Sequence, residues 1–229
     1  MKKVFIACDT TDVTKVERII KNTQTNELTI GYKFGLEFFN SKKGRPFISK
    51  LKNNYLIFLD CKLNDIPNTV SSSIYALKDL SNIKYLTVHA SGGLEMMRAA
   101  KKAANKINKK IKILGVTVLT SLSDNSLKKI GYKNSIKSIV VRQAKLCRAA
   151  GLDGVVASGY EAKIIKKICK KMEIITPGIR FKGDNSQDQK RVMSPQMAFN
   201  NGATAIVIGR SITKNNIKKN IQNLIKSLK

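Results

Sequence analysis

The sequence predicts an α/β protein of one domain, residues 1–229, folded as a (β/α)8 TIM barrel, and three observations predict it. Eight short apolar runs, rich in β-branched and aromatic residues, succeed one another along the chain. Amphipathic segments of helical length lie between them, the pattern of a parallel sheet covered by helices. A polar or turn-forming residue follows each run, and in a barrel those carboxyl ends converge on one mouth, where active sites are built.

The runs and helices alternate in order. Run 4–8 leads to Asp9, and residues 13–22 read as the first helix. Run 28–32 leads to Lys33, and run 55–59 leads to Asp60 and a helix over 66–80. Run 85–88 leads to His89 and a helix over 92–108; run 113–119 leads to Thr120 and a helix over 135–150. Run 154–157 leads to Ser158 and a helix over 161–171, and run 173–175 to Pro177-Gly178-Ile179-Arg180 and a helix over 194–200. The last run, 205–208, leads to Gly209-Arg210. An open doubly wound sheet is the alternative, and the absence of Gly-x-Gly-x-x-Gly after the first run argues against its nucleotide-binding form.

Composition bounds the function. At 229 residues and 42% apolar content the chain can bury a sizeable core, within the roughly 200–250 residues of a barrel domain. Cys8, Cys61, Cys147 and Cys169 show no zinc or Cys-x-x-Cys spacing and read as reduced thiols. Asp9 interrupts the apolar start too early for a signal peptide, and no run approaches a membrane span, so a cytoplasmic protein with no membrane partner is expected. The net charge of +28 invites a nucleic-acid reading, but pairs such as Lys101-Lys102, Lys128-Lys129 and Lys166-Lys167 are scattered over helix faces without interleaved aromatics. No nucleic-acid partner is expected; the field would instead speed the arrival of an anionic substrate.

The most informative stretch is Asp60-Cys61-Lys62-Leu63-Asn64-Asp65-Ile66-Pro67-Asn68-Thr69. In an extended chain Asp60 and Lys62 share a face, bringing an anion and a cation into one cavity, while Cys61 faces the helix layer as packing. Ile66-Pro67-Asn68 reads as a turn holding Asp65 over the same mouth or a neighbouring subunit's.

With Ile6-Ala7-Cys8-Asp9, Gly31-Tyr32-Lys33-Phe34-Gly35, Thr87-Val88-His89-Ala90-Ser91-Gly92-Gly93, Leu119-Thr120-Ser121, Pro177-Gly178-Ile179-Arg180, Asp188-Gln189-Lys190-Arg191-Val192-Met193 and Gly209-Arg210, this stretch makes an ordered set. Over nearly its whole length the chain resembles the orotidine 5′-monophosphate decarboxylase family. The resemblance implies removal of carbon dioxide from the orotate ring without metal or other cofactor. Lys62 would protonate the ring carbon, Asp60 would lie near the departing carboxylate, and Lys33 would hold Asp60 and the ribose. It also implies a homodimer in which Asp65 and Thr69 serve the partner's site.

Asp9 suits ribose hydroxyls, although alone it would equally read as a helix cap, and Thr120 suits the pyrimidine edge. Arg180, Gln189, and Gly209 with Arg210 suit a phosphate: a charged fork, an amide, and backbone N–H groups after the eighth run. The polar run 182–188 resembles the family's phosphate-gripping loop and reads as a lid. His89, the only histidine, reads as a barrel residue rather than a catalyst. Sugar-phosphate enzymes on the same scaffold share Asp-x-Lys-x-x-Asp but need a magnesium-binding carboxylate where this chain has Lys33, which would repel the metal.

Overall fold

The computed structural model describes residues 1–181, 183–184 and 191–229. Among these, eight parallel strands close a barrel in sequence order: β1 Lys3–Ala7, β2 Thr29–Gly35, β3 Leu56–Leu63, β4 Ile83–His89, β5 Lys112–Val116, β6 Gly154–Val156, β7 Glu173–Thr176 and β8 Ala205–Ile208. β8 returns to pair with β1. The surrounding helices are α1 Val13–Thr23, α2 Leu36–Phe39, α3 Gly44–Lys50, α4 Pro67–Tyr75, α5 Gly93–Ile107, α6 Asp124–Lys129, α7 Ile136–Ala149, α8 Gly159–Ile168, α9 Pro195–Asn200, α10 Arg210–Thr213 and α11 Ile217–Leu228.

Both faces of the strands are buried, which is why they read as continuous apolar runs. On β1, Val4 and Ile6 face the helices while Phe5 and Ala7 fill the barrel. β3 repeats the alternation: Ile57, Leu59 and Cys61 pack outward and Phe58 inward. Cys61 therefore packs as expected, and burial pushes its thiol up to about 12. Inside, the Phe5 ring meets Phe58 and Tyr85 edge-on at centroid distances of 5.1 and 5.2 Å.

The floor of the barrel is ionic. Glu173 accepts from Lys3 Nζ and from the Tyr85 hydroxyl, each at 3.0 Å, and from Lys112. One carboxylate thus ties β1, β4, β5 and β7 together beneath the aromatic layer.

Several boundaries differ from expectation. β2 and β3 run past their predicted ends, so Lys33 and Asp60 lie within strands. The run over 113–119 leaves the sheet at Val116, where Thr117 turns its N–H and hydroxyl to the Val156 carbonyl. Pro67, read as part of a turn, opens α4, because the missing N–H costs nothing at the first helical position. That helix ends at Tyr75 rather than residue 80, continuing only as successive turns through Leu80. Helices α2, α3 and α10 were not expected, while α6 and α11 carry Lys128-Lys129 and Lys218-Lys219, pairs expected on helix faces but given no helix bounds. Among the described residues no helix is long and apolar enough to cross a membrane.

Candidate active site

At the carboxyl ends of the strands a cavity of about 520 Å³ opens between a Lys/Asp cluster on β2 and β3 and two arginines beyond β7 and β8. Strand alternation directs Lys33 inward from β2 and Asp60 inward from β3, and Asp9 follows the end of β1. Lys33 Nζ donates to Asp9 Oδ1 at 3.1 Å and lies 3.5 Å from Asp60 Oδ2. Lys62 Nζ donates to the same Asp60 oxygen at 2.8 Å. Asp9, Lys33, Asp60 and Lys62 therefore form one chain of alternating sign.

This balance lets the charges sit in a partly dry site. Burial pushes the Asp60 carboxyl up, but the Lys33 and Lys62 ammoniums outweigh it and hold it below the usual carboxylate range. Burial likewise pulls Lys33 down, but Asp60 and Asp9 outweigh it and keep its ammonium above the ordinary lysine value. The result is a fixed field of two ammoniums about one ionised carboxylate.

Lys62 reaches Asp60 by a route that simple alternation does not describe. Its backbone is left-handed, with φ of 50°, and its N–H donates to the Thr87 hydroxyl at 2.9 Å. Thr87, fully buried on β4, donates in turn to Asp60 Oδ1 at 3.0 Å. The motif Thr87-Val88-His89-Ala90-Ser91-Gly92-Gly93 does not by itself give Thr87 a role. The signal available was its parity: it shares the inward face of β4 with Tyr85 and His89. Burial, and next the Lys62 ammonium, hold the His89 imidazole below its ordinary pKa.

The other expected residues divide into two groups. Thr120, Arg180, Gly209 and Arg210 line the cavity. Arg180 is buried and donates Nη1 to the Ile179 carbonyl at 2.9 Å. Gly209 faces β1, where a Cβ would make an ordinary contact of 3.4 Å with that of Ala7. Asp65 and Thr69 are exposed and do not line this chain's own cavity; Asp65 Oδ1 accepts from the Ile66 N–H at 2.7 Å. Gln189, and the expected lid except Gly183 and Asp184, lie outside the described residues. Among the described residues no group of three or more His, Cys, Asp or Glu side chains gathers as a metal site.

A closed parallel barrel with charged groups from several strand ends at one mouth defines the class of (β/α)8 barrel enzymes. The chain belongs to the orotidine 5′-phosphate decarboxylase / HUMPS family, whose model matches residues 2–221. It is 42% identical over 226 residues to an orotidine 5′-phosphate decarboxylase from Wolbachia sp. subsp. Brugia malayi, covering 98% of each chain. It is 42% identical over 217 residues to the enzyme of that name from Carboxydothermus hydrogenoformans, covering 92% of this chain and 89% of the other. Its fold is similar to the crystal structure of orotidine 5′-phosphate decarboxylase from Lactobacillus acidophilus, with a TM-score of 0.84, 32% identity, and coverage of 100% of this chain and 99% of the other.

Proposed function

We propose that this protein decarboxylates orotidine 5′-monophosphate to uridine monophosphate without a metal or organic cofactor, with Lys62 as proton donor. The observation that carries the reading is the arrangement about Asp60, whose Oδ2 lies 2.8 Å from Lys62 Nζ and 3.5 Å from Lys33 Nζ at the cavity wall. When the bond from C6 of the pyrimidine to its carboxylate breaks, the electron pair stays on C6, which has no adjacent electron sink. A preorganised ammonium stabilises that charge before it moves, because it needs no reorientation during the step. Lys62 then gives a proton to C6, carbon dioxide departs, and the neutral amine is reprotonated from solvent.

Asp60 is the group facing the substrate carboxylate, a repulsion relieved as carbon dioxide leaves. Lys33 orients Asp60 and, with Asp9, binds ribose hydroxyls; Thr120 takes the pyrimidine edge. Arg180, Gln189, the Gly209 N–H and Arg210 bind the phosphate. Asp65 and Thr69, exposed in one chain, complete the site of a second copy in a homodimer. The free, buried cysteines suit a reducing cytoplasm.

The test follows the loss of orotidine 5′-monophosphate absorbance with purified protein, with and without EDTA. Conversion to uridine monophosphate that resists EDTA is expected. No conversion by folded protein, or conversion abolished by EDTA and restored by magnesium, would overturn the reading.

A further inference from the structure

β3 and β4 lose register at the mouth of the barrel: Leu59 pairs with Leu86, but the next pair is Leu63 with Val88. Four steps along β3 are thus set against two along β4, a bulge that re-aims the side chains it carries. Lys62 sits inside it with its φ of 50°, a conformation that costs an L-residue unless its surroundings hold it. Its N–H is held by the Thr87 hydroxyl at 2.9 Å, and that hydroxyl donates to Asp60 Oδ1 at 3.0 Å.

A hydroxyl carries one proton. With a lone pair engaged by the Lys62 N–H, that proton is directed to Asp60 Oδ1, leaving Oδ2 to the two ammoniums. Thr87 is 0% exposed, so bulk water does not compete for either bond. Valine would fill the same inward position on β4 with no polar group to satisfy, and a buried hydroxyl is costly unless bonded. Here it is bonded twice, to the two residues of the reacting pair.

We propose that Thr87 is a positioning residue of this site: one buried hydroxyl locks the Asp60 carboxylate and the Lys62 backbone in mutual register and so fixes the Lys62 ammonium. The proposal rests on the decarboxylase reading for its kinetic consequence but not for the contact itself.

Thr87→Val keeps the β-branched shape and removes the hydroxyl; Thr87→Ser keeps the hydroxyl. The Val variant is expected to lose about 10- to 100-fold in kcat, the scale of a lost hydrogen bond to a charged group, with KM within about threefold of wild type. The Ser variant should recover most of that loss. The acid limb of kcat against pH should move upward in the Val variant alone, since Asp60 loses a donor that favours its ionised form. A folded Val variant with wild-type kcat, or a Ser variant as impaired as Val, would overturn the proposal. If Val does not fold, Thr87→Ala, which also lacks the hydroxyl, serves instead, and full activity there overturns it equally.

A thermal double-mutant cycle reads the contact without any assay. Thr87→Val and Asp60→Ala together should lower Tm by less than the sum of their separate effects, whereas additive shifts would overturn the contact. Inactive wild-type protein showing that coupling would defeat the decarboxylase reading and leave the contact standing.

Discussion

Lys62 Nζ lies 2.8 Å from Asp60 Oδ2, and the lysine reaches this position from a left-handed backbone with φ of 50°. A regular strand would also set residues i and i+2 on one face, but the bulge sets where the ammonium lies. The strain is paid for by the bond to Thr87 and the pull of Asp60, as local strain at functional sites commonly is.

Two substitutions separate chemistry from strain. Lys62→Ala removes the proposed proton donor and should lower kcat by about 10²–10⁴-fold or more while circular dichroism stays unchanged. Lys62→Gly should be equally inactive but more stable than the alanine variant by about 1–2 kcal/mol, because glycine adopts positive φ freely. For a chain of this length that is about 2–8 °C in Tm. Turnover retained in either variant would remove Lys62 from its assigned role, and a glycine variant no more stable than alanine would remove the strain.

The barrel floor predicts a pH dependence with a definite sign. Burial pushes the Glu173 carboxyl up, but hydrogen bonds from Lys112 and Lys3 and their charges outweigh it and hold it below its ordinary value. A carboxyl depressed in the folded state contributes stability above its unfolded pKa, and that contribution is lost as pH falls through the folded value. Glu173→Gln should therefore lower Tm at neutral pH by about 2–8 °C, the equivalent of about 1–2 kcal/mol for a partly exposed network. The difference should shrink on acidification below the usual glutamate range. A gap that widens in acid would contradict the assignment.

At the opposite side of the cavity, Arg210→Ala tests the phosphate assignment. Losing a charged donor should raise KM for the nucleotide about 10- to 100-fold and lower affinity for uridine monophosphate in parallel. Some fall in kcat is also expected if phosphate binding helps close the site. Inorganic phosphate should compete with the nucleotide in wild type more strongly than in the variant. Unchanged KM and product affinity would remove Arg210 from the phosphate site.

The eight strands were legible because burial on both faces writes itself as unbroken apolar runs, and the mouth was legible because a polar or turn-forming residue follows each run. Asp9, Lys33, Asp60 and Lys62 do meet there. Helix α11 had its signal in the spacing of Ile217, Ile221, Leu224, Ile225 and Leu228, all buried, but it lay in a background crowded with Lys and Asn. The short α2, α6 and α10 carry one buried residue each and leave almost no periodicity to read. For Thr87, parity on β4 gave the inward face but not the bonds: a bulge depends on the register between two strands, and no spacing within either strand records it.

The assembly prediction turns on Asp65, which is exposed and does not line the cavity of its own chain, while Lys62 does. If each site joins Lys62 of one protomer to Asp65 of the other, Lys62→Ala and Asp65→Ala homodimers are both inactive. In a mixed dimer one site carries both defects and the other carries neither. Random exchange makes about half the dimers mixed, so refolding the two variants together should restore about a quarter of wild-type activity per chain. Sedimentation should show a dimer throughout. A site complete within one chain would instead give no recovery on mixing, and an active monomer would dispense with the partner altogether.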